Sequence, residues 1–119
     1  MVMGIVEFES EQDRILLLSG DPGTRVRGAI SGIEFTLVRL RSGGWCAVDA
    51  RCPHKGTSFM APDADSNGDW IQCATHGWRW SLTEGDCIAC HLPSLYKKKI
   101  SVIPVREEDG KFIVDESMK

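Results

Sequence analysis

Residues 52–54 read Cys52-Pro53-His54, and residues 73–76 read Cys73-Ala74-Thr75-His76. Each stretch pairs one thiol with one imidazole. Two cysteines and two histidines make four soft-to-borderline ligands, a set that suits zinc or an iron–sulfur centre. Ligand order bears on the choice. The common zinc modules put both cysteines in one knuckle and both histidines in the other. Here each half carries one of each. The chain has three histidines, and two of them stand at these positions.

Such loops need a scaffold, and the flanking sequence reads as strands joined by short turns. Residues 4–9 fit an edge strand, and residues 14–19 fit either a strand or a helical turn. Asp21-Pro22-Gly23 is a turn signal. Arg25 to Ile30 alternates, and Ser31-Gly32 fits a tight turn. Ile33, Phe35 and Leu37 then face one way and Glu34 and Thr36 the other, which predicts a half-buried strand. After Ser42-Gly43-Gly44, a third strand runs from Trp45 to Asp49, up to Cys52. Asp63 to Asp69 reads as a surface loop, and Trp70-Ile71-Gln72 as a short strand delivering Cys73. Further strands are expected at 78–82, 87–89, 96–105 (with Pro104 near an edge) and 111–115. No helical stripe, repeat or linker is visible.

The totals fit one soluble domain. The chain has 119 residues, 42% hydrophobic and 26% charged, with a net charge of −3. An acidic balance with no long basic run argues against nucleic acid. Lys97-Lys98-Lys99 reads as a solvated face. No stretch approaches the eighteen or so apolar residues of a membrane span, and the acidic start is no secretory signal. Five cysteines is an odd count. With two assigned as ligands, Cys46, Cys87 and Cys90 are expected to be free thiols in a reducing cytoplasm. Cys87-Ile88-Ala89-Cys90 has redox-motif spacing but lacks a surrounding βαβ pattern. Residues three apart on a strand point to opposite faces, so both are expected to be structural. Trp78 and Trp80 alternate on a strand and are expected in the core, and His91 on the surface.

The segments CPHKG at 52–56 and CATHGWRWSLTEG at 73–85 resemble the Rieske [2Fe–2S] proteins. A glycine following each histidine, Gly56 and Gly77, fits as well, and the likeness runs on through Pro93 to the closing strands. In a Rieske centre one iron takes two cysteines and the other two histidines. The resemblance therefore implies a [2Fe–2S] cluster with Cys52 and Cys73 on the inner iron. His54 and His76 would hold the outer, reducible iron at a surface tip. It implies an all-β fold, a Rieske-type antiparallel β-sandwich forming one domain over 1–119. A small cluster-binding subdomain, about 45–89, is inserted into it. Pro93 resembles a third loop that lids the cluster, although an ordinary turn fits nearly as well.

The functional expectation is a Rieske ferredoxin, a one-electron carrier with no catalytic residues of its own. Its partners would be an NAD(P)H-dependent flavin reductase (a ferredoxin reductase) and the terminal oxygenase of a bacterial aromatic-ring-hydroxylating system. Only about thirty residues follow Cys87, too few for the catalytic domain of a large oxygenase. The alternatives are a small subunit of an assimilatory nitrite reductase and a structural zinc module. Docking is expected around His54, Lys55 and His76, with acidic surface residues steering a basic partner.

The resemblance also bears on potential. High-potential members join their two ligand loops by a disulfide and carry a Ser and a Tyr hydroxyl near the cluster. The corresponding positions here are Thr57 and Thr75 for the disulfide, and Trp78 and Trp80 for the hydroxyls. A low potential is expected.

Overall fold

A computed structural model describes residues 3–53, 56–74, 77–89 and 99–115. Seven strands form one antiparallel sheet: β1 (Met3–Ile5), β2 (Glu7–Phe8), β3 (Arg25–Ile30), β4 (Ile33–Arg39), β5 (Trp45–Asp49), β10 (Val102–Glu108) and β11 (Lys111–Asp115). Their order is β1-β11-β10-β5-β4-β3-β2. The two edge strands are consecutive in the chain, with only Val6 between them. The sheet must therefore roll until its edges nearly meet. Val6 sits in the gap, and its N–H donates to the Phe112 carbonyl at 2.9 Å. Inside lies a core that includes Leu17, Leu37, Ala47, Ile103, Val105, Phe112 and Val114.

A second sheet is inserted between β5 and β10. It consists of β6 (Asp65–Ser66), β7 (Trp70–Gln72), β8 (Arg79–Ser81) and β9 (Cys87–Ala89), in that order. It packs on the outside of the rolled sheet through another core, in which Val38, Cys46 and Val48 meet Phe59, Ile71, Trp78, Trp80 and Leu82. This second layer explains why β4 departs from the half-buried expectation. Phe35 to Val38 are buried on both faces, Thr36 included at 1% exposure. Leu37 enters the inner core and Val38 the outer one.

Polar ties fix the two layers. The Arg25 guanidinium donates to the Phe59 carbonyl at 3.0 Å. Arg41 pairs with the Asp69 carboxylate at 3.0 Å and donates to the Asn67 carbonyl at 2.7 Å. The Ser66 hydroxyl bonds the Gly23 carbonyl. Phe59 is the keystone, fully buried, with its N–H on the Ala50 carbonyl at 3.0 Å. Phe59→Ala is expected to cost about 3–5 kcal/mol, read as a lower urea midpoint. A change below about 1 kcal/mol, within the range of ordinary substitutions, would show that the layers do not depend on it.

Four local readings change. Among the described residues, the strand expected at 96–105 is β10, Val102–Glu108. Residues 14–19 belong to helix α1 (Glu11–Ser19), capped by the Ser10 hydroxyl, which accepts from the Asp13 N–H at 3.2 Å. Only Leu17 of the helix is buried, while Ile15 and Leu16 are half exposed. No apolar stripe was there to be read, although Ser10 three residues before Asp13 is a capping signal. The expected loop at 63–69 contains the short strand β6. Residues 4–9 divide into two strands at Val6. Pro104 does pair with Cys46 on β5, but pairing with β11 begins only at Val105. The missing donor thus falls where that side of the ladder has ended.

Candidate metal centre

The two Cys–His stretches lie in hairpin loops of equal length. The first is bracketed by the bridge between Arg51 and Ser58, the second by the pair Gln72 and Arg79. Each leaves six residues in the loop, 52–57 and 73–78. Cysteine comes first in both and glycine fifth. The hydrogen bonds repeat as well. The Cys52 N–H donates to the Thr57 carbonyl at 2.8 Å, and the Cys73 N–H to the Trp78 carbonyl at 2.8 Å. The Gly56 N–H returns to the Cys52 carbonyl at 2.7 Å, and the Gly77 N–H to the Cys73 carbonyl at 3.2 Å. Gly56 has φ +74° and Gly77 φ +70°, the left-handed region where a Cβ is costly. Among the described residues, no atom lies within 4 Å of a Cβ built on either. Both glycines therefore serve the turn, and their own amides close it.

In each loop the cysteine is buried and the glycine exposed. Cys52 and Cys73 are outside any disulfide and at 1% exposure, in the same outer core. Gly56 and Gly77 are exposed. A buried thiolate is poorly solvated and needs a compensating positive centre. Two such thiols in matching loops fit the cysteine side of a mixed Cys/His cluster. His54, Lys55, Thr75 and His76 lie outside the described residues, as do Cys90, His91 and Pro93. The structure brings the two cysteine roots into one core; in the sequence, each histidine stands between its stretch's cysteine and glycine.

Trp78 and Trp80 are buried in that core, as expected. The exposed side of the same hairpin carries Arg79. Its guanidinium stacks 4.2 Å over the Trp70 ring, and its Nε donates to the Gln72 side-chain oxygen at 2.8 Å. Arg51 holds the crest of the first loop, donating to the Gly56 carbonyl at 3.0 Å. Neither arginine belongs to a Cys–His motif, yet Arg51 directly precedes Cys52, and Arg79 pairs across the hairpin with Gln72, which precedes Cys73.

The other cysteines divide. Cys46 is a free, buried thiol, as expected. Burial pushes it up to about 12 from 9.0. Its folded-state pKa is raised, so its contribution to stability is complete below pH 9. That contribution is lost as pH rises from 9 toward 12, at up to about 1.4 kcal/mol per pH unit. Cys46→Ala should remove this alkaline component and leave the visible spectrum unchanged, which denaturation of both proteins between pH 8 and 11 would check. Cys87 is disulfide-bonded, contrary to the expected free thiol.

Comparisons with known proteins agree with this geometry. The 3-chlorobenzoate-3,4-dioxygenase oxygenase subunit of Comamonas testosteroni is 33% identical over 95 residues, covering 74% of this chain and 21% of that protein. The chain spans about a fifth or less of the length of the curated relatives it matches. Among solved structures, the Sphingomonas yanoikuyae B1 ferredoxin has a TM-score of 0.66 at 22% identity, covering 83% of this chain and 91% of that one. A chain from the complex of reduced oxygenase and oxidized ferredoxin in carbazole 1,9a-dioxygenase has a TM-score of 0.65 at 21% identity, with 83% and 95% covered. These likenesses establish the fold. The profile of the Rieske [2Fe-2S] domain matches residues 17–114. With paired thiol-bearing loops on a rolled antiparallel sheet, and with that match over most of its length, the chain belongs to the Rieske [2Fe–2S] domain family, whose members' shared cofactor is a [2Fe–2S] cluster.

Proposed function

We propose that the chain is a Rieske ferredoxin, a one-electron carrier from an NAD(P)H-dependent flavin reductase to a terminal Rieske oxygenase, acting in the cytoplasm and not itself an enzyme. Cys52 and Cys73 hold the inner iron, and His54 and His76 the outer. The bound cluster supplies reversible one-electron chemistry. The protein supplies the rest: both thiols are kept from water, the two loops are closed by the same pair of backbone hydrogen bonds, and the glycine of each is exposed toward a partner.

The observation that carries this reading is the matched pair of six-residue loops, each running from a buried cysteine to an exposed glycine. Mixed ligands on like loops suit a cluster with two kinds of iron better than a structural zinc site. The chain also accounts for 91% and 95% of the lengths of the two solved chains described above. One of those structures is a complex of an oxygenase with its ferredoxin, which supports an oxygenase as the acceptor. No helix among the described residues is long and apolar enough to cross a membrane. We further propose that residues 1–119 act as one domain, with the cluster held by the inserted segment, about 45–89.

Reconstitution tests the proposal. The protein should be reduced by a flavin reductase with NADH or NADPH and reoxidised by a terminal oxygenase turning over its substrate. Co-purification with a sirohaem subunit, with no electrons passed to the oxygenase, would overturn it in favour of a nitrite reductase component.

A further inference from the structure

The chain is acidic overall, yet the two ligand-loop segments are not. Residues 51–58 and 72–79 contain Arg51, Lys55 and Arg79, and all 17 of the chain's Asp and Glu residues lie elsewhere. Arg51 and Arg79 are exposed. Neither has a carboxylate partner among the described residues, where the salt bridges involve Arg14, Arg41 and Arg106. Both guanidiniums are held in place, one on the Gly56 carbonyl and the other over Trp70 and on Gln72. A pre-positioned arginine loses less side-chain freedom on pairing with a carboxylate.

A concentration of acidic residues lies at the other end of β5. Glu11 and Asp13 open helix α1, and Glu107, Glu108 and Asp109 end β10 and begin its turn. Arg14 joins the two by donating to the Gly110 carbonyl at 2.7 Å. Strand β10 runs antiparallel to β5 with Val105 opposite Trp45. Glu107 and Glu108 thus lie beyond the start of β5, whereas Cys52 follows its end. The far end of the sheet thus gathers five carboxylates, with Arg14, Arg106 and Lys111 among them, whereas every charged side chain of the two ligand-loop segments is positive.

We propose that the ligand-loop face is an electropositive docking surface for an acidic patch on the redox partner, with Arg51 and Arg79 as its fixed contacts. This rests on the electron-carrier reading above. It reverses the sign expected from net charge, because a partner meets the local field of the face rather than the sum over the chain.

Small redox complexes test the sign. The reduced protein gives one electron to hexacyanoferrate(III), forming hexacyanoferrate(II), or to hexaammineruthenium(III), forming the ruthenium(II) ion. Raising ionic strength from about 10 mM to about 200 mM should slow the anionic reaction about fivefold and speed the cationic one. The double variant Arg51→Glu/Arg79→Glu should reverse both salt slopes, while Glu107→Lys/Glu108→Lys should leave their signs unchanged. Calorimetry with redox-inert hexacyanocobaltate(III) reads the face without electron transfer. It should detect weak binding that Arg51→Glu/Arg79→Glu abolishes. An unchanged visible circular dichroism spectrum establishes that each variant keeps its cluster. A wild-type anionic rate that rises with salt, or slopes indifferent to the arginine variant, would overturn the inference. So would sedimentation with phosphatidylglycerol vesicles at about 0.15 M salt, which would assign the face to a lipid surface. A wild-type protein carrying no cluster would instead overturn the carrier reading itself.

Discussion

Cys52→Ala and Cys73→Ala proteins should purify almost free of iron and colourless, with the inserted layer loosened. No preformed site exists in an unfolded chain, so the free energy of metal binding is also folding free energy. Both cysteines sit in the outer core at 1% exposure. Their loss would remove two of the four ligands proposed for the cluster, one from each of the loops 52–57 and 73–78. The expected cost is at least about 5 kcal/mol of apparent stability, a conservative share of what structural metals give small domains. The inner core draws its residues from the rolled sheet and helix α1. Hydrogen exchange should therefore rise in β7 and β8 well before it rises in β4 and β5. Cys46→Ala, Cys87→Ala and Cys90→Ala should keep iron and spectrum. Ligand variants with full iron and an unaltered visible spectrum would remove Cys52 and Cys73 from the site.

The second large effect is on potential. Rieske centres are known to span about −150 to +300 mV, and this protein is expected near the lower end. Each hydrogen bond donated to a cluster sulfur stabilises the added electron, so fewer donors mean a lower potential. Trp78 and Trp80 stand where high-potential members have Ser and Tyr, and both are buried in the outer core. An indole offers no hydroxyl, only one N–H. Thr57 stands at a disulfide position of those members, and its backbone carbonyl is already engaged with the Cys52 N–H at 2.8 Å. The apolar surroundings of Cys52 and Cys73 act in the same direction, because they disfavour added negative charge. Redox titration checks this. A midpoint well above about +100 mV, toward the top of the known span, would mean that hydroxyl donors do not set the potential here.

Much of this was readable in the sequence because the strands around the ligands are local. Arg25–Ile30, Ile33–Arg39 and Trp45–Asp49 are separated by turn residues, and the Cys–His spacing identifies the loops directly. The readings that changed were those that depend on what packs on top. Thr36 looks solvent-facing in an alternating strand, yet it is buried, two residues before Val38 of the outer core. Helix α1 presents Ile15, Leu16 and Leu18 to solvent, so its periodicity gave no signal and only the Ser10 cap did. The likeness of the two loops was in plain view: glycine stands four residues after each cysteine. Counting from the histidines instead, which are offset by one residue between the loops, hides it. The arginines at 51 and 79 acquire meaning only once the hairpins set them beside the cysteines.

A single cluster is proposed to take two cysteines and two histidines from these paired loops. The most direct measurement is electron–nuclear double resonance on the dithionite-reduced protein, prepared with ¹⁵N-labelled histidine. Couplings from two imidazole ¹⁵N nitrogens are expected, with one lost in each of His54→Cys and His76→Cys and none lost in His91→Ala. A reduced centre with no histidine coupling, or a colourless protein holding stoichiometric zinc, would contradict it.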